Sequence, residues 1–265
     1  MKICYLRPDR LAERAMYRPR ALAQAFNRHE FLIVHPRNWK RKIGRSKVGI
    51  VFVCGNQVAD QARNLIQRAT IRVYFPQWSP ENQCTVADLR EIRRGKYHVI
   101  FTEQPPQVGL LKRAHKNVRL IHKGFDPKVF YPAPEEEKTR WIVFAGESRK
   151  FGRGRRLKKL RKKFPGRVEW TSGMDHAGMA AFYRSGRICW DQVFQPGSDG
   201  GVNYRAWETM GCGLMLLCNY NSSVAKLFKD RVHVVFWKND RDMLDRAAYY
   251  LQHETERQKI AKAGY

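Results

Sequence analysis

Short apolar runs recur along this chain, and between them lie longer stretches in which apolar residues return every three or four positions. That alternation is the pattern of an α/β fold with parallel sheets. In the first half the runs predict strands at 3–6, 31–34, 48–54, 71–75 and 99–101, with 118–122 closing that half. Helices are expected over 12–26, with apolar positions at Leu11, Ala15, Leu22 and Phe26, and over 58–68 and 86–94. The second half restarts with a strand at 141–145 and a basic helix. A strand at 168–170, a helix at 177–183 and strands at 188–190 and 232–236 follow. Residues 132–140 are polar, proline-bounded and without periodicity, so they read as a link between domains at 1–131 and 141–265. The rhythm suits two Rossmann-like domains, whose ligands are expected at the carboxyl ends of strands and in the cleft between the halves.

Composition narrows the class. No apolar run approaches bilayer length and the N-terminus lacks the apolar core of a signal peptide, so a soluble, cytoplasmic protein is expected. The six cysteines contain no C-x-x-C pair, which predicts neither a disulfide framework nor a zinc site. Charge changes the picture most. Lys and Arg number 51 against 24 Asp and Glu, a net charge of +27. Such an excess points to a polyanionic partner. The densest patch, residues 149–167, holds 11 basic residues in 19 with no acid, and a second cluster spans 37–47 with Trp39 among Arg37, Lys40, Arg41, Lys42, Arg45 and Lys47. A merely solvated face is the plain alternative, yet solubility is better served by acids.

The most informative chemistry lies in residues 198–219. Gly200 and Gly201 permit close backbone approach to a ligand, and a helix opening near Asn203 would aim unpaired N–H groups and a positive dipole end at it. Arg205 and Glu208, three apart, share one helix face, so a cation for phosphate and a carboxylate for sugar hydroxyls fit one pocket; a solvated ion pair is the plain reading of the same spacing.

This segment, Asn203-Tyr204-Arg205-Ala206-Trp207-Glu208 followed by Gly211-Cys212-Gly213 and an apolar strand, resembles the donor-binding core of GT-B glycosyltransferases, especially the CgeB-like branch related to family 4. The segment from His122 through Gly124, Phe125, Asp126 and Phe130 to Pro132 is similar to the stretch with which those enzymes leave their first domain. The tail matches their ending through Leu251, His253, Glu256, Arg257, Ile260, Ala261, Ala263 and Gly264.

The resemblance implies an α/β GT-B fold, a hexosyltransferase activity, and a nucleotide-sugar substrate, UDP-glucose, with no metal or other cofactor. It implies that Glu208 holds the donor ribose and that Arg205, Asn203 and the Gly200-Gly201 backbone hold phosphate or sugar oxygens. Gly146 and cations from Arg149, Lys150, Arg153, Arg155 or Arg156 would face the diphosphate, and Ser172, Gly173 and Met174 the base. Family 4 members often place a Glu eight residues before the ribose-binding one; here that position is Gly200, beside Asp199. If the reaction inverts, a general base must come from the first half, with Glu103, Asp9 and Glu81 as candidates.

Three acceptor readings stand side by side. The first is DNA, a hydroxymethyl pyrimidine of the kind some bacteriophages make, contacted by Arg37, Trp39, Lys40, Arg41, Lys42, Trp78, Lys158, Lys159, Arg161, Lys162 and Lys163. The second is a cell-surface polymer or lipid-linked acceptor at an anionic membrane surface. The third is nucleic-acid binding without catalysis on a transferase scaffold.

Overall fold

The computed structural model describes residues 1–6, 17–76, 85–134, 138–193 and 202–265. Asp9, Trp78, Glu81, Gly200, Gly201 and Cys84 lie outside the described residues, as does the start of the expected first helix. The chain divides into two compact units, Met1–His122 and Lys123–Tyr265. The division falls ahead of the polar stretch 132–140, because residues 123–132 pack within the second unit. Phe125 lies against Gly211, where an added Cβ would sit 2.7 Å from its ring, and Pro132 lies against Gly213.

The first unit is a six-stranded sheet of β1 (Lys2–Leu6), β2 (Glu30–Val34), β3 (Ile50–Cys54), β4 (Ile71–Phe75), β5 (Val99–Thr102) and β6 (Val118–Leu120), in the order β2-β1-β3-β4-β5-β6. Every pairing is parallel. Alternate residues of each strand go to opposite faces. Cys4, Leu6, Val51, Val53 and Tyr74 enter one core, and Ile3, Tyr5, Phe52, Val73 and Phe75 enter the other. Burial on both faces explains why these strands read as continuous apolar runs.

Its helices are α1 (Tyr17–Ala25), α2 (Trp39–Ile43), α3 (Asn56–Gln61), α4 (Arg63–Arg68), α5 (Val86–Arg94) and α6 (Gln107–Lys112). The single helix expected over 58–68 is two, broken at Ala62 with φ −123°. At the break Arg63 reaches the buried Glu91 at 2.7 and 2.5 Å, and Glu91 also accepts from the Tyr97 hydroxyl at 2.6 Å. A buried carboxylate needs that pairing, and it outweighs helix continuity. Helices α2 and α6 were not expected, being too short to show a helical period.

The second unit holds β7 (Arg140–Ala145), β8 (Val168–Thr171), β9 (Gly186–Asp191), β10 (Met215–Asn219) and β11 (Val235–Trp237), in the order β11-β10-β9-β7-β8, again all parallel. Between them run α7 (Arg153–Lys163), α8 (His176–Arg184), α9 (Tyr204–Gly211), α10 (Ser222–Ala225), α11 (Asp240–Gln252) and α12 (Glu254–Gly264). The last strand begins at Val235, later than the expected 232, since residues 230–234 form only an isolated bridge. Leu157, Leu160, Met243, Ala247, Ile260 and Ala261 cover one sheet face, over Ile142, Phe144, Trp190 and Trp237. No helix among the described residues is long and apolar enough to cross a membrane.

Candidate active site

Strand β7 has β8 on one side and β9 on the other, so the chain reverses its direction of winding between β7 and β9. A crevice opens at the carboxyl ends of two such strands, the usual ligand position in an open α/β sheet. In this unit those ends are Ala145 and Asp191, and Arg205 joins them. Its Nε donates to the Ala145 carbonyl at 2.6 Å, its Nη1 to the Asp191 carboxylate, and its guanidinium lies 4.5 Å from the Phe144 ring centroid. Asp191 is fully buried and Arg205 is 9% exposed. Burial disfavours the Arg205 cation, but the Asp191 carboxylate more than offsets it, and the pKa is raised.

Two donors of the guanidinium are thus committed and one edge is not. Among the described residues Nη2 makes no hydrogen bond, and it lies beside Gly146, where an added Cβ would stand 2.2 Å from it. Gly146 has φ +153°, so both backbone and space call for glycine.

Helix α9 is placed by the same carboxylate. Asn203 caps it, its Oδ1 accepting from the Ala206 N–H at 3.0 Å while its Nδ2 donates to Asp191 at 3.0 Å. The cap satisfies an N–H at the positive end of α9, whose first turn carries Arg205. Glu208, one turn further, is 1% exposed. From the other side Lys123 Nζ donates to the Val202 carbonyl at 3.2 Å and lies 5.1 Å from the Tyr204 ring centroid. Two of the three sequence segments that carry the family resemblance therefore touch.

A second arginine stands behind the first. Arg153 is 8% exposed, donates to the Gln192 carbonyl at 2.9 Å and the Glu147 carbonyl at 3.3 Å, and lies over Phe144. Burial, then the neighbouring Arg205, push its pKa down. Two guanidinium groups and a helix N-terminus thus gather around the Asp191 carboxylate.

The other donor candidates divide. Ser172, Gly173 and Met174 form an exposed turn after β8, on the same carboxyl edge as Gly146, whose N–H donates to the Thr171 carbonyl at 2.8 Å. Arg149 is exposed, and Lys150 pairs with Glu147 at 3.1 Å. Arg156 is occupied elsewhere, with Nε at 2.7 Å from Asp240 and Nη1 donating to Gln192 Oε1 at 3.1 Å.

Of the acceptor candidates, Lys158, Lys159, Arg161, Lys162 and Lys163 are exposed on α7, while Arg37, Lys40, Arg41 and Lys42 are exposed in the first unit. Trp39 is not among them on the surface. It is 8% exposed in the core, with Ile43 one turn on, so its ring is unavailable for stacking on a base. The i, i+4 spacing of Trp39 and Ile43 is the signal that marks it as a core residue. Glu103 directly follows β5, half-buried, in the first unit. Asp191, Gln192 and Asn219 escape a reading from sequence. Each ends or follows an apolar strand, and an acid directly after a buried strand is the one signal for Asp191.

Residues 136–265 match the family described as glycosyl transferase-like. The matched stretch is just under half of the chain. No curated protein matches the chain significantly. Among solved structures, sucrose-phosphate synthase from Thermosynechococcus elongatus is 12% identical, with 99% of this chain and 92% of that one covered and a TM-score of 0.70. Anabaena HepE, solved in complex with UDP and glucose, is 11% identical over 100% and 93% of the two chains, with a TM-score of 0.68. A glycosyltransferase from Rickettsia africae ESF-5 is 10% identical over 99% and 92%, with a TM-score of 0.69. Two parallel-sheet α/β domains of the GT-B type are therefore the fold, and the family match falls on the second domain. Within that domain lies the Arg205 crevice.

Proposed function

We propose that the chain transfers glucose from UDP-glucose to a hydroxymethyl pyrimidine base of DNA, in the cytoplasm and without a metal ion. The observation that carries the donor half is the pinned Arg205, whose one uncommitted edge faces the Gly146 turn at the winding switch of a transferase domain. A diphosphate fits a crevice with two arginines and a helix N-terminus, and departure of a nucleoside diphosphate builds charge that such fixed donors stabilise without reorganising. Glu208, on the same helix, suits the ribose hydroxyls. HepE, a structural neighbour, has been solved with UDP-glucose.

The acceptor half rests on charge. A net +27 far exceeds what one diphosphate requires, and phosphodiester chains are the polyanions that basic surfaces of this density serve. For the acceptor hydroxyl, Glu103 is the general base we favour, because it stands at a strand's carboxyl end.

The test is incubation with UDP-glucose and hydroxymethylcytosine DNA, followed by nucleoside mass spectrometry with and without EDTA. A hexose gain that EDTA leaves unchanged and that Arg205→Ala and Glu208→Ala abolish is expected. Donor hydrolysis without hexose on any nucleoside would overturn the acceptor; absence of UDP binding would overturn the donor.

A further inference from the structure

The cations of residues 149–167 separate into two kinds once the chain is folded. Arg153, Arg156 and Lys159 are held by polar partners, the last two by Asp240 at 2.7 Å each. Asp240 is the one carboxylate that pairs with a residue of α7 among the described residues. Arg155, Lys158 and Lys162 are exposed and spaced i, i+3, i+7, so they form one stripe along the outer face of α7, with Lys163 beside it. The stripe runs about 10 Å at 1.5 Å per residue.

Two exposed arginines extend it in a different way. The Arg161 guanidinium lies 3.8 Å from the Trp170 ring centroid, and Arg167, just past the helix, lies 3.5 Å from that of Trp141. Stacking on an indole fixes the plane of a guanidinium without using its N–H donors. Each fork is therefore immobilised and still open to an oxyanion, which suits it to phosphate.

We infer that the outer face of α7 and the turn after it bind the sugar-phosphate backbone of duplex nucleic acid, at a surface separate from the Arg205 crevice. The inference deepens the DNA reading of the acceptor and rests on it. A bilayer fits less well, because Leu157 and Leu160 are fully buried, Phe164 is half-buried against the core and both indoles are half-buried under guanidinium groups, so residues 153–167 expose no aliphatic or aromatic anchor. Unpaired bases fit less well too, since the ring faces they would stack on are taken. What the surface offers is charge and fixed donors, the complement of a phosphodiester backbone.

The experiment measures binding of the full chain to an unmodified duplex by fluorescence anisotropy across a salt series, with UDP binding as control. The triple change Lys158→Ala, Lys162→Ala, Lys163→Ala should weaken binding and lower the slope of log affinity against log salt by about 3, near one per phosphate contact. Arg161→Lys with Arg167→Lys keeps the charge and loses the stacks, so it should weaken binding with the slope nearly unchanged. All variants should bind UDP as the parent does. Parental duplex affinity and slope in the triple variant would overturn the inference, as would binding to phosphatidylglycerol vesicles in place of duplex. If the parent binds duplex and the variants bind equally well, the surface fails while the DNA acceptor survives. If the variants weaken as expected but no hexose reaches DNA, the surface stands and the acceptor reading fails.

Discussion

Asp191 does more than any other single residue to shape the crevice, because one carboxylate holds both the Arg205 guanidinium and the Asn203 cap. Removing one partner of a buried ion pair strands the other. Asp191→Ala should therefore cost roughly 3–5 kcal/mol, read from urea unfolding. Adding Arg205→Met should recover much of that stability, since a hydrophobic replacement relieves the stranded cation. UDP binding should stay lost in the double variant, and an equally unstable double variant would refute this account of the pair. Sequence pattern displayed Arg205, Glu208 and Asn203 because they fall within one recognisable helix. It concealed Asp191, which stands 14 residues before Arg205 and meets it only when the end of β9 packs against α9.

Helix α7 is latched to α11 through Asp240, in the first turn of α11, which receives Arg156 and Lys159. Partial burial favours the protonated acid, but hydrogen bonds from Lys159 and then Arg156 prevail, and the carboxyl group sits below its ordinary 3.8. The unfolded chain therefore takes up this proton first as pH falls. The latch contributes its full stability above the ordinary value and loses it as pH drops through the folded value. Asp240→Asn should lower the urea midpoint at neutral pH, and the gap to the parent should close in acid below about pH 4. A gap independent of pH would rule the latch out. Elements with a long period or a cap were legible: α5 occupies Val86–Arg94 as expected, with Thr85 and Asp88 forming a capping box. The break at Ala62 was not, because the Arg63–Glu91 pair behind it joins residues far apart in sequence.

For the whole molecule, a ligand that binds only the folded chain raises stability by mass action. UDP at about a hundred times its dissociation constant should add about 2.7 kcal/mol, seen as a rise in Tm, and Arg205→Ala should show none. An unshifted parent would count against the donor crevice. The sequence by itself determined the α/β class, the restart of strand and helix near residue 140, the charge excess and the Asn203-to-Glu208 helix. These are local or additive properties: strand and helix periods depend on neighbours along the chain, and net charge is a sum. Only the tertiary structure decided which cations are latches and which face solvent, since burial depends on what packs above a residue. It drew Asp191 to Arg205 and left one edge of that guanidinium without a hydrogen bond among the described residues. Those outcomes follow from which helices and strands pack together, which local pattern does not encode.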